Sequence, residues 1–209
     1  MMIIEREIMS DRNDMVNTLV QEALGDEGKL KKLVEALAVS ARRERQLSAS
    51  AIYAVAKVDP EKLTNHIDAL IDALNRPEAQ TRWETIETLA ILVDYDSRSC
   101  GKAVAGAETS LFDEESGPAR LAAMRFLCKY GSTTAVRSEK VWPLIDEGIQ
   151  CYHGDLEFND MLLALVDFSN GKLSEDVAAS FKDRMSFDAA NGKGTLKRRA
   201  QQIVENLEK

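Results

Sequence analysis

One stride along the chain limits its folding options more than any other feature. Residues 80–93 read QTRWETIETLAILV and residues 118–131 read PARLAAMRFLCKYG. Each carries an arginine with a leucine seven places later, and each follows a short polar break. Extending that register in both directions lands on Arg45, Arg82, Arg120, Asn159 and Lys197, at intervals of 37, 38, 39 and 38. Seven places after these anchors stand Ile52, Leu89, Leu127, Val166 and Val204. Eight places before them stand Leu37, Leu74, Phe112, Cys151 and Ala189. In a chain that is 44% hydrophobic, a column of five apolar residues fills by chance roughly 2% of the time. Two full columns at one spacing identify an internal repeat.

Within each repeat the period is that of an α-helix. Leu30, Leu33, Val34 and Leu37 share one helix face, as do Ile67, Leu70, Ile71 and Leu74. After the anchors the same spacing returns as Ile86, Leu89, Leu92 and Val93, then as Met124, Leu127 and Tyr130. Between the two helical stretches lie SARRE, NRPEA, DEESGP, HGD and NGKG, all rich in turn formers. Pro60 and Pro118 stand where a helix can begin without losing a hydrogen bond, and Pro143 is expected to mark another such start. Thr64 and Ser174 are expected to serve as caps. Each repeat is therefore a helical hairpin. A single hairpin cannot bury its apolar stripe, whereas a stack of them can. Residues 1–26 add one more helical pattern, Met15, Leu19, Val20 and Leu24 ending at Gly25, read as a cap on the first hairpin.

Chemistry is less legible. The net charge of −8 argues against a duplex-binding protein, whose affinity rests on Lys/Arg contacts to phosphate. The charge is uneven: residues 1–57 are neutral, residues 58–171 hold ten basic against twenty acidic side chains, and residues 172–209 hold eight against six. Cys100, Cys128 and Cys151 are far apart and odd in number, and His66 and His153 are the only histidines. No zinc spacing, disulfide framework, nucleotide loop or catalytic triad follows from them, so no metal, cofactor or catalytic residue is expected. The opening residues meet Glu5, Arg6 and Glu7 too early for a signal-peptide core. No apolar run approaches the ~20 residues that span a bilayer. A cytoplasmic protein with neither a membrane nor a nucleic-acid partner is the expectation.

An apolar first helix, an acidic or glycine-bearing turn and a second helix opening R-x-x-[small/apolar], repeated near every 38 residues, resembles the HEAT-repeat family of the armadillo-like superfamily. The W-x-x-L-G of tetratricopeptide units and the T-P-L-H of ankyrin units are absent. The resemblance implies an all-α, right-handed α-solenoid of about five HEAT-like hairpins behind the N-terminal capping helix. Its repeats would span 27–58, 59–95, 96–136, 137–171 and 172–209 of a single domain, 1–209. It also implies that the arginine opening each second helix pairs with an acidic turn residue, with Glu78 preceding Arg82, and Asp113, Glu114 and Glu115 preceding Arg120. Asn159 and Lys197 depart from that pattern.

In such proteins the second helices line the face that meets partners. Taking anchor offsets two, five and nine as outward gives Glu84 and Glu87, then Arg125 and Lys129, then Met161 and Phe168 as the candidate partner-binding residues. Met161 and Phe168 would be apolar anchors and the charged four a rim. The mixture lacks the continuous basic strip that a nucleic acid requires. The expected function is a non-catalytic scaffold or adaptor for a protein or peptide. The alternatives are an enzyme acting on DNA bases or chromophores, as some HEAT-like proteins are, and a self-associating structural protein.

Overall fold

The computed structural model describes the backbone of residues 2–39 and 41–209, and the side chains of residues 11–39 and 41–209. Met1 of the expected cap and Ser40 of the SARRE break lie outside the described residues. Among the described residues there is no β-strand. The chain forms two compact units, Met1–Lys102 and Ala103–Lys209.

The first unit opens with α1 (Met2–Gly25), which packs on α2 (Glu27–Val39) and on α3 (Arg42–Val58). Asp26 separates α1 from α2, its carboxylate accepting from the backbone N–H of Gly28 at 2.7 Å and of Lys29 at 3.2 Å. The next hairpin begins with a 3₁₀ segment from Pro60 to His66 that runs into α4 (Ile67–Ala73). Its partner is α5 (Ala79–Cys100). Second helix packs on second helix, α3 on α5, while first helix packs on first helix, α2 on α4. Leu30, Leu37, Ile52, Val55, Leu63, Leu70, Ile86 and Leu89 fill the space between these layers. Inside α5 the backbone leaves the helical region at Asp96, with φ −146° and ψ 75°. Asp96 accepts from the N–H of Ser99 at 3.0 Å, the geometry of a helix N-cap, so a new helical direction starts there.

The second unit holds α6 (Val104–Leu111), α7 (Gly117–Gly131), α8 (Ala135–Tyr152), α9 (Phe158–Ser169), α10 (Glu175–Asn191) and α11 (Gly194–Asn206). Here α7 packs on α9 and α9 on α11, with α8 beside α10. Ser116, Thr134 and Ser174 cap α7, α8 and α10 by accepting from the N–H three residues on. The aromatic rings of Trp142, Phe168 and Phe181 meet in its core, with centroids 5.1 to 6.4 Å apart. Backbones also approach closely. A Cβ on Gly171 would lie 2.4 Å from the Cβ of Ser132, and Lys172 N–H donates to the Ser132 carbonyl at 2.7 Å.

Three sequence expectations need correcting. Pro143 lies inside α8, which begins at the Thr134 cap, because a capped start upstream makes a second start unnecessary. Thr64 donates its hydroxyl to the Glu61 carbonyl and caps no helix. The repeat register also slips by one in the last two hairpins. Ile52, Leu89, Leu127 and Val166 are buried as expected and Val204 is half-exposed, but the fully buried residues of the last two hairpins are Leu165 and Ile203. The buried positions therefore recur at intervals of 37, 38, 38 and 38. The eight-before column drifts likewise: Leu37 and Leu74 are buried, Phe112 and Ala189 half-buried, and Cys151 exposed.

Candidate functional site

The arginines that open the second helices come first, since they fix where those helices sit. Arg45 of α3 donates through Nε at 3.1 Å, and through a second nitrogen, to the buried carboxylate of Glu78 at the start of α5. This guanidinium holds the Glu78 carboxyl below its ordinary pKa. Arg120 of α7 repeats the arrangement with Glu157 before α9, its Nε donating at 2.7 Å, and it lies over the Tyr152 ring. The acid thus belongs to the following hairpin. Toward their own turns two anchors also donate to backbone: Arg82 to the carbonyls of Arg76 and Pro77, Arg120 to those of Asp113 and Glu114. Lys197 does the same to the carbonyl of Ala190 at 3.0 Å. These are structural ties within each unit.

In the first unit the second-helix face carries a three-helix polar cluster. Ser50 Oγ on α3 lies 2.9 Å from both Glu84 oxygens on α5. It accepts from Gln80 Nε2 at 3.1 Å and from Arg12 on α1 at 3.3 Å. The hydroxyl's one proton is shared between the Glu84 carboxylate and the Gln46 carbonyl, which lies 3.0 Å away one turn back on α3. Gln80 also donates to Glu84 at 3.2 Å. Burial pushes the Glu84 carboxyl above its ordinary pKa, opposed by Ser50, Gln80 and the positive charges of Arg12 and Lys57. Lys57 lies over the Tyr53 ring at 3.8 Å. Glu87 and Ile91 continue this face along α5, both partly exposed.

In the second unit Arg125 and Lys129 lie four residues apart on α7, both partly exposed. Met161 and Phe168, expected beside them as apolar anchors, are core residues at 0% exposure. Phe168 is stacked on Trp142, and burial puts both Met161 and Phe168 out of reach of a ligand. The exposed stripe of α9 is Asp160, Leu163 and Asp167, with Leu163 at 47% exposure. Leu163 and Asp167 stand 38 residues after Arg125 and Lys129, so they are the true counterparts.

No protein-family model matches the chain, and no curated protein matches it. Solved structures do. A designed armadillo repeat protein in complex with the peptide (KR)4 is similar at TM-score 0.72 and 14% identity, over 92% of this chain and 91% of that one. Computationally designed armadillo repeat proteins for modular peptide recognition give TM-score 0.70 at 13% identity, over 91% of each chain. A further engineered protein gives 0.72 at 15%, over 96% and 93%. The fold is armadillo-like. At these identities the likeness concerns architecture: an all-α helical-repeat solenoid, with ten helices after α1 forming five hairpins.

The armadillo-like frame explains which functional candidates the sequence could show. Glu84 and Glu87 lie on α5, and Arg125 and Lys129 on α7, all four partly exposed. Arg12 carried no such signal, because α1 lies outside the repeat register, yet its guanidinium completes the Ser50 and Glu84 cluster. Among the described residues no group of three or more His, Cys, Asp or Glu is placed to hold a metal, and no helix is long and apolar enough to cross a membrane. Cys128 is buried, which raises its thiol pKa, and Cys151 is exposed. His153 pairs with Asp188 at 3.0 Å, joining the turn after α8 to α10.

Proposed function

We propose that this protein is a non-catalytic scaffold of the cytoplasm that presents its second-helix faces to a protein or peptide partner. The observation that carries this reading is the armadillo-like fold itself. It sets second helices side by side within each unit, with a mixture of charged, polar and apolar side chains on their exposed stripes. Support comes from solved neighbours whose own function is peptide recognition by design. On this reading Glu84 and Glu87 in the first unit and Arg125 and Lys129 in the second make partner contacts, with Leu163 replacing Met161 and Phe168 as the apolar contact.

Charged stripes of both signs favour a partner segment of matching mixed charge, since complementarity sets register and rejects wrong partners. The test is a quantitative affinity capture from the native cell, comparing the natural chain with two double variants. These are Glu84→Lys with Glu87→Lys, and Arg125→Glu with Lys129→Glu. A partner retained by the natural chain and lost from at least one folded variant is expected. If both variants recover the same proteins in the same amounts, the faces are not the binding surface.

A further inference from the structure

The first helices of the second unit carry a groove that the scaffold reading does not use. It lies between α8 and α10, has a volume of about 460 Å³, and is lined by Trp142, Asp146, Ser180, Asp183, Arg184 and Phe187. Trp142 forms one end. Its ring is held by Phe168 and by Phe181, the latter with centroids 5.1 Å apart, so its exposed portion cannot swing away. Phe187 forms the other end and stands 73% exposed on α10, an unusual place for a benzyl side chain with nothing over it. Between them Arg184 grips Asp146 through two bonds, Nε to Oδ1 at 2.5 Å and a terminal nitrogen to Oδ2 at 3.0 Å. Asp146 is therefore neutralised, and Asp183 leaves the lining with one net negative charge.

The spacing identifies the occupant. Trp142 sits level with Phe181, and Phe187 lies six residues further along α10. At 1.5 Å rise per residue the two aromatic ends are about 9 Å apart along the groove. Side chains seven residues apart on a helix are separated by about 10 Å. We propose that this groove receives an amphipathic helix of a partner protein. That helix presents apolar side chains at positions i and i+7 to Trp142 and Phe187, and a lysine or arginine at i+3 or i+4 to Asp183. The groove between two neighbouring helices is the natural seat for a third, and the i, i+3/i+4, i+7 pattern is how a helix in a groove is read. The negative lining selects the basic residue. The site belongs to the first helices and is separate from the second-helix faces proposed above.

The probe is a synthetic helix-forming peptide, alanine-rich and about sixteen residues long so that it holds a helix in water. It carries leucine at two positions seven apart and lysine four after the first, with binding followed by fluorescence anisotropy. Saturable binding to the full chain is expected. Phe187→Ala removes an exposed ring and leaves the fold intact, which thermal melting verifies; it is expected to weaken binding about tenfold, as loss of an aromatic anchor does. Asp183→Lys is expected to weaken it further and to restore binding of a second peptide with glutamate in place of the lysine. Glu84→Lys with Glu87→Lys leaves the affinity unchanged, which separates this site from the scaffold faces. Absence of saturable binding, an affinity unaltered by Phe187→Ala, or equal binding of a peptide whose helix is broken by a central proline would each overturn the proposal.

Discussion

The two units solve the same packing problem with the same tie and then diverge. Arg45 with Glu78 in the first, and Arg120 with Glu157 in the second, lock one second helix to the entry of the next. Around that shared tie the first unit is polar. Its exposed face is a hydrogen-bonded cluster reaching from α1 to α5, and its core holds Thr81 and Thr85, whose buried hydroxyls have no partner among the described residues. The second unit is close-packed: three aromatic rings, and glycines at contact points where a Cβ would collide. Among its buried serines only Ser110, of the described residues, has a hydroxyl without a partner. Ser138 donates to the Ala135 carbonyl and accepts from the N–H of Ser174, and Ser169 donates to Val166 while accepting from Asn206. One stride can thus be realised with more slack in the core or with less, and more of it lies in the unit with the ionisable face.

If that contrast is right, the second unit should be the less forgiving. Gly171→Ala places a methyl 2.4 Å from the Ser132 Cβ and 2.6 Å from its Cα, and the Lys172 hydrogen bond leaves no room for the turns to part. A loss of about 3 kcal/mol in urea denaturation is expected, at the upper end for overpacking. A loss under about 1 kcal/mol would show that the second unit yields as readily as the first. Next in size is the tie. Glu157→Gln leaves the Arg120 charge without its acid at a site where both side chains are 14% exposed, and about 2 kcal/mol should be lost. A double-mutant cycle with Arg120→Ala should give a coupling near 1–2 kcal/mol; additivity would mean that the bond contributes nothing of its own.

The fold was legible because its signal is redundant: five repeats each state the same period, so one wrong anchor does no harm to the architecture. The face was legible only where the register was right. Asn159 stands one residue past the phase that the buried Leu165 sets for the fourth second helix, and on an α-helix one residue is a rotation of about 100°. That rotation moved Met161 and Phe168 from the core to the open side and hid Leu163. In the second helix of a stack, which is apolar on most of its circumference, composition alone cannot reveal the error: FNDMLLALVDFS offers a hydrophobic residue at nearly any phase. Arg12 escaped for a different reason. A side chain that reaches across from a non-repeating helix obeys no period, and its role exists only once α1 is docked on α3.

The slack in the first unit can be tested directly. Thr85→Val exchanges a buried hydroxyl without a partner for a methyl of the same shape. It should stabilise the protein by about 1 kcal/mol, since an unsatisfied polar group costs about that much to bury. The corresponding exchange at Ser138, to alanine, should destabilise, because it strands the N–H of Ser174. Equal effects at the two positions would erase the distinction between the units.

The smallest effect is the most discriminating, because its sign is at stake. Glu78 and Glu84 lie six residues apart, and their carboxyls shift in opposite directions from the same ordinary value of 4.5. Arg45 depresses Glu78, so the unfolded chain binds its proton more readily than the native one. That contribution to stability is present above pH 4.5 and is lost as pH falls through the lowered native value. Burial raises Glu84, so the native state holds the proton more readily. Stability is therefore lost as pH rises from 4.5 through the raised native value. Stability measured against pH for Glu78→Gln and Glu84→Gln should consequently diverge from the natural chain with opposite slopes. The Glu78 variant falls further behind as pH rises from strongly acid, and the Glu84 variant gains as pH rises from 4.5 through the raised native value. Slopes of the same sign would mean that Arg12, Lys57, Ser50 and Gln80 together outweigh the burial of Glu84. Its cluster would then be a tie like that of Glu78.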